Sequence, residues 1–231
     1  MGSVVGRSAS PDRIKDAAFK TLTNARARGG EIQSLAESRL AETVGALDTN
    51  EQQLTDARVK DDAAHAALLA RDEESDLEIA TVSDEIWNAM GRPAQSVDYD
   101  LIFAGGKKTW TEGDPAKQPH LMGVLAGNIR NTKHPKLSAR KEEWAGRIEK
   151  KAAVQTEAAT VAEPLHARLT GLTMQRRSVA DLAQLALTRF KRDLKNLGMS
   201  EAQIHEIIPD TPAGNGASPV VPAPAPKPAA A

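Results

Sequence analysis

Residues 165–179 read LHARLTGLTMQRRSV, and their regularly spaced apolar residues stand four, three and seven positions apart: Leu165, Leu169, Leu172 and Val179. Intervals of three and four place side chains on one face of an α-helix, and their alternation is typical of a coiled coil. The pattern extends in both directions over residues 137–198, and Gly198 ends it. Pro164 lacks a backbone N–H and crowds the preceding turn, so we expect a kink there. This stretch therefore predicts a long helix with an apolar seam.

A second helical pattern of similar length covers residues 11–90. It begins at Ser10-Pro11, a capping serine followed by a proline at the first helical position. Gly29-Gly30 interrupts the apolar spacing, but the spacing then resumes, so we interpret 29–30 as a bend in a continuing helix. Residues 48–50 offer a second place for a break. The pattern stops at residues 91–93, which read GRP.

Together the two patterns predict an all-α fold, a long antiparallel helical hairpin or coiled coil that turns back through residues 91–136. Four of the seven aromatic residues lie in or beside this connector, so we expect it to form a small head. Its expected content is an extended run at Val97–Phe103 and a helix near Gln118–Arg130. In the alternative architecture the long segments break at 48–50 and at 164, which gives a four-helix bundle.

The two ends of the chain differ from the helical segments. We expect residues 1–10 to be a flexible N-terminus. Ser200 and Gln203 have the spacing of a capping box, which predicts a short helix over residues 200–208. Residues 209–231 contain seven prolines and are alanine-rich, so they predict an extended or disordered tail. Such a tail is able to bind a protein that recognises extended proline segments.

The composition limits both the core and the site chemistry. Aromatic residues make up 3% of the chain, cysteine is absent, and alanine supplies much of the apolar content. Small side chains bury little area, so the core is expected to be thin, and contact with further copies would stabilise it. Disulfides and thiolate metal sites are excluded. No apolar run reaches the roughly 20 residues of a membrane span, and the start lacks a signal-peptide core, so we expect a cytoplasmic protein.

The net charge of −1 conceals a strong asymmetry along the chain. Residues 31–90 hold 15 acidic and 4 basic residues, whereas residues 137–199 hold 7 acidic and 12 basic residues. Opposite charges on two helical segments attract each other. The asymmetry predicts pairing of the two segments within one chain or between copies.

Residues 99–110, YDLIFAGGKKTW, resemble a strand that leads into a phosphate-binding loop. A P-loop, however, requires a first glycine at the position of Leu101 and a serine or threonine directly after Lys107. Lys108 follows Lys107, and Gly113 and Pro115 interrupt the helix that a P-loop requires. We therefore interpret Gly105-Gly106 as a turn and expect no nucleotide cofactor.

Two acid–histidine pairs are the candidate metal ligands. Each pair has an acidic residue three positions before a histidine, which places both side chains on one helix face: Asp62 with His65, and Glu163 with His166. Di-metal helical bundles use Glu-x-x-His pairs from two helices and one further carboxylate from each of two others. The alternative to a metal site is that these are polar residues on exposed helix faces.

Basic residues cluster at 133–151 and at 189–195, which is the pattern that a nucleic-acid surface requires. Glutamates interleave the first cluster, only Trp144 offers an aromatic ring beside it, and the acidic first segment would repel phosphates. Binding of nucleic acid is therefore disfavoured against charge pairing between the two segments.

The sequence predicts a non-enzymatic structural, scaffolding or protein-interaction protein that self-associates and needs no cofactor. No cysteine nucleophile or G-x-S-x-G turn is present. The alternatives are a metal-binding bundle or metalloenzyme that uses the two acid–histidine pairs, and a nucleic-acid-associated coiled coil. The candidate interaction residues are those of the apolar seams and their neighbouring aromatics: Ile79, Val82, Ile86, Trp87, Trp144, Leu165, Leu169, Leu172 and Val179.

Overall fold

The computed structural model describes residues 4–6 and 8–209, and its regular structure there is entirely helical. The predicted all-α class is confirmed. The elements are the α-helices α1 (Pro11–Arg28), α2 (Gly30–Met90), α3 (Val97–Ile102), α4 (Gln118–Asn131), α5 (Lys141–Asn196) and α6 (Glu201–Ile207), with 3₁₀ turns at Lys107–Trp110 and Pro135–Leu137. The proline-rich tail lies outside the described residues from position 210 onward.

Side-chain caps define the starts of two helices as the sequence predicts. The Ser10 hydroxyl accepts a hydrogen bond from the Arg13 N–H at 3.4 Å, and Pro11 opens α1. Ser200 and Gln203 form both hydrogen bonds of a capping box at the start of α6. Each cap satisfies backbone donors that the first helical turn leaves without a partner.

The chain reverses direction at Gly29 and Gly30, where the sequence predicted a bend in a continuing helix. Both glycines have positive φ angles, 73° and 58°, which helices do not use. Ion pairs then join the start of α1 to Asp48, in the first third of α2 (Lys15–Asp48, 2.9 Å), and the end of α1 to the start of α2 (Arg26–Glu37, 3.3 Å). The first part of α2 therefore runs antiparallel to α1.

The two long helices continue through the positions at which the bundle alternative required breaks. Helix α2 includes residues 48–50, and α5 includes Pro164 within its 56 residues. The described chain forms two compact units, which divide both helices. The first unit contains the described residues up to Thr49 and from Arg176 onward, and the second contains Asn50–Gln175.

The first unit has a core of four helices. Its fully buried side chains include Ile14 of α1, Leu40 of α2, Phe190 of α5 and Ile204 of α6. Val5 is also buried in this core, and its carbonyl accepts a hydrogen bond from the Gln184 side chain at 3.2 Å. Val5 is thus held by packing, whereas residues 1–3 and 7 lie outside the described residues, and the expected flexible N-terminus stays a prediction.

The second unit packs the connector onto α2 and α5. Ile86 of α2 and Trp144 of α5 are fully buried with residues of the connector, among them Phe103, Leu125 and Ile129. Helix α4 occupies the position predicted for it. The expected extended run at Val97–Phe103 is instead α3, because the Ser96 hydroxyl caps it by accepting from the Tyr99 N–H at 3.2 Å.

Candidate functional site

Ion pairs align α2 and α5 within the second unit. They join Glu85 to Arg140 (2.8 Å), Glu78 to Arg147 (2.7 Å) and Glu74 to Lys151 (2.9 Å). As the acidic partner moves toward the start of α2, the basic partner moves toward the end of α5. The two helices therefore run antiparallel here, and the opposite charges of the two segments are paired within one chain.

Most of the first basic cluster is engaged in these and related contacts. Lys136 donates to the Met90 carbonyl (3.3 Å), and Lys141 donates to the Arg130 carbonyl (2.8 Å). In the second cluster, Lys191 and Lys195 both pair with Glu201, at 3.2 Å and 2.5 Å. These contacts direct the cations toward protein groups and reduce the positive charge that would face a phosphate backbone.

Trp144 is buried beside the ion pairs that join α2 and α5. Its Nε1–H donates to the Glu85 carboxylate at 2.8 Å, and this hydrogen bond is the main cause of a lowered Glu85 pKa. The Arg147 and Arg140 guanidinium groups lower that pKa further. Glu85 thus links the aromatic core of the second unit to its charged surface.

The two acid–histidine pairs line the same groove of the second unit, which has a volume of about 910 Å³. The residues are Asp62, His65, Glu163 and His166, and His166 Nδ1 lies 3.4 Å from a carboxylate oxygen of the neighbouring Asp61. Within the described part of the chain, no group of three or more His, Cys, Asp or Glu residues is placed to hold a metal ion. The two predicted pairs therefore line one groove, but they do not form a preformed set of metal ligands in the described chain.

A pair of buried glutamines beside this groove was not found by the sequence reasoning. Gln155 of α5 donates to the Asp72 carboxylate (2.7 Å) and to the Pro115 carbonyl (2.8 Å). Gln118 of α4 donates to the Asp76 carboxylate (2.7 Å) and to the Trp110 carbonyl (2.9 Å). Each amide thus ties an α2 carboxylate to a connector carbonyl, and we name this arrangement the glutamine clamp.

The glutamine clamp contains two carboxylates with perturbed ionisation. Burial, followed by the nearby Asp72 charge, raises the pKa of Asp76 to about 6, against the opposing effect of the Gln118 hydrogen bond. Burial also raises the pKa of Asp72. The signal in the sequence was the spacing of Asp72 and Asp76, which stand one helical turn apart on α2 and therefore share a face.

The glycines of the loop at 105–106 form a turn, as predicted. Their φ angles are 80° and 84°, and the Gly106 N–H donates to the Phe103 carbonyl at 2.8 Å. A 3₁₀ turn follows directly, and Lys107 pairs with Asp84 at 3.5 Å. This geometry does not form the strand, loop and helix of a phosphate-binding motif.

The candidate interaction residues separate into two groups. Ile79, Val82, Ile86 and Trp144 are fully buried in the core of the second unit, and Trp87 is half-buried with its ring edge-on to Tyr99. The seam residues of α5 remain partly exposed: Leu165, Leu169, Leu172 and, in the first unit, Val179. Apart from Trp87, the apolar surface that these candidate residues offer to a partner therefore lies in the second group.

The wider comparisons add no assignment to this all-α arrangement. No family model matches the sequence, and neither a curated protein nor a solved structure is significantly similar to it. Among the helices of the described residues, none is both long and apolar enough to cross a membrane.

Proposed function

We propose that this chain is a non-enzymatic structural or protein-interaction protein that associates with further copies of itself through the α2–α5 seam of its second unit. The supporting observation is the small apolar content of that seam. Over residues 158–172 of α5, Ala162 is the one buried residue, and Leu165 is half-buried against the cluster that Ala162 forms with Ala64 and Leu68. Leu169 and Leu172 lie on the same stripe and are half-buried.

Because the seam consists largely of alanine, it buries little apolar area, and burial of more apolar area would stabilise the chain. Burial of apolar surface stabilises by about 25 cal/mol per Å², and a second helix pair would cover the exposed parts of these leucines. Several charged groups along the same helices are paired within the chain, as in Glu74–Lys151 and Glu78–Arg147, which favours an apolar contact between copies over a charged one. A cytoplasmic location belongs to the same proposal.

The two alternative functions have less support. Metal binding would draw on residues that line one groove but do not form a ligand group in the described chain. Nucleic-acid binding would draw on two clusters in which many of the cations, such as Arg147, Lys151 and Lys191, already contact carboxylates. Recognition of the proline-rich tail by another protein stays a proposal, since positions 210–231 lie outside the described residues.

Sedimentation velocity over a range of protein concentrations tests self-association, with the variant Leu169→Gln as the probe. We expect the wild-type chain to sediment as a dimer or larger species and the variant to dissociate with a Kd about tenfold higher, which corresponds to about 1.4 kcal/mol. The matched control is Leu77→Gln, because Leu77 of α2 is 70% exposed and lies off the seam. A wild-type chain that remains monomeric at every concentration contradicts the proposal.

A further inference from the structure

The groove that the acid–histidine pairs line has an apolar floor. Leu68 of α2 and Ala162 of α5 are buried at its base, and Ala159 is half-buried beside them. Pro115 and Ala116 of the connector form one wall. A floor of this kind accepts aliphatic side chains, because their burial removes apolar area from water on both partners.

The rim of the groove is mainly acidic. Asp114 and Lys117 pair with each other at 3.2 Å, and His166 lies against Asp61. Asp62 and Glu163 also line the groove, and neither makes an ion pair with any residue that the structure describes. The rim therefore presents two carboxylates that a cation from outside the chain can neutralise.

The glutamine clamp holds the connector wall in place. Gln155 is fully buried and donates to the carbonyl of Pro115, which is one of the wall residues. The Asp114 carboxylate accepts from the Ala116 N–H at 3.0 Å, and this hydrogen bond lowers the Asp114 pKa and keeps the carboxylate ionised. A groove whose wall is fixed before binding loses less entropy when a ligand enters.

We propose that this groove binds a segment of a partner protein that carries lysine or arginine next to aliphatic residues. Aliphatic side chains pack on Leu68 and Ala162, and the cationic groups reach Asp62 and Glu163. Electrostatic complementarity of this kind favours a basic segment and repels acidic peptides and nucleic acid. The inference rests on the proposed function of the chain as a protein-interaction element and names the chemistry of one partner.

Fluorescence polarisation with a labelled helical peptide of lysine, leucine and alanine tests this inference on the full chain. We expect saturable binding that the double variant Asp62→Asn/Glu163→Gln weakens about tenfold, since two exposed ion pairs are lost. The matched control, Asp56→Asn/Glu157→Gln, removes the same charges from exposed positions of the same helices outside the groove, and should bind as the wild type does. In a second variant, Thr160→Trp, the indole of the new side chain should cover the groove floor, because Thr160 is exposed and lines the groove. This variant should abolish peptide binding without changing the helical circular dichroism.

Three results would overturn the inference. These are equal binding of a peptide with glutamate in place of lysine, equal weakening in the control variant, and retained binding in Thr160→Trp. Sedimentation of the same variants separates this inference from self-association. If the wild-type chain is monomeric and binds the basic peptide, the groove is supported and only self-association is contradicted. If Asp62→Asn/Glu163→Gln dissociates an oligomer but still binds the peptide, a second copy occupies the rim, and the inference is overturned.

Discussion

Asp76 shows how one buried carboxylate makes stability depend on pH. Its pKa is about 6 in the folded chain against an ordinary value of 3.8, so the folded state holds this proton more tightly than the unfolded state does. The contribution of Asp76 to stability is therefore greatest below pH 3.8 and declines as the pH rises through 6. The cause is burial beside Asp72, which the single Gln118 hydrogen bond does not offset.

We expect Asp76→Asn to raise the free energy of unfolding at pH 8 by about 1 kcal/mol, a value reduced for solvent screening because Asp76 is only partly buried. The difference between wild type and variant should shrink as the pH falls from 8 to 4. Urea unfolding at several pH values measures it. Asp56→Asn, an exposed acid of the same helix, is the control. A variant less stable than the wild type at pH 8 would show that the ionised Asp76 stabilises the clamp.

At the scale of the elements, Gly29 and Gly45 have opposite roles although both belong to the first helical pattern. Gly29 has a φ of 73° and a ψ of −172°, a conformation that essentially only glycine adopts. Gly45 lies inside α2, is exposed, and has open space where a Cβ would stand. We expect Gly29→Ala to destabilise the chain by about 1–3 kcal/mol and Gly45→Ala to stabilise it by about 1 kcal/mol.

Thermal and urea unfolding of these two variants measures both effects, and each variant is the control for the other because the chemical change is identical. A stabilising Gly29→Ala would mean that the chain continues as one helix there, as the sequence suggested. Apolar spacing alone could not decide this point. Helices α1 and α2 both carry an apolar face toward one core, so the period resumes after the glycines whether the chain bends or reverses.

Helix α3 shows a second limit of periodicity. Val97, Tyr99 and Leu101 alternate with aspartates, which is the period of a strand, and we predicted an extended run. The structure has a capped helix in which Val97 and Leu101 remain 76% and 67% exposed, so the alternation does not mark a buried face. The cap at Ser96 and the acidic residues of the first turn were the better signals.

At the scale of the whole molecule, the helical spacing of the apolar residues predicted the all-α class, and the charge asymmetry predicted the pairing of acidic with basic segments. The division into two compact units was not predicted. It arises because one part of α2 and α5 shares a core with α1 and α6, and another part shares a core with the connector. The glutamine clamp was also beyond the sequence, since Gln118, Gln155 and their aspartates are separated along the chain and only the fold brings them together.

The charge asymmetry of the chain also separates two ways in which copies could associate. If opposite charges on different copies held an assembly together, raising the salt concentration from about 0.1 M to about 1 M would dissociate it, because the screening length falls from about 10 Å to about 3 Å. In the second unit, Arg147 and Lys151 of α5 are instead paired with α2 of the same chain, as Glu78–Arg147 and Glu74–Lys151. We therefore expect the sedimentation coefficient to stay constant over this range, while the midpoint of thermal unfolding falls slightly as the intramolecular pairs are screened. Leu169→Gln provides the control for a seam-driven assembly, since its dissociation should be equally independent of salt. Dissociation of the wild-type assembly at high salt would instead assign the interface to the charged faces.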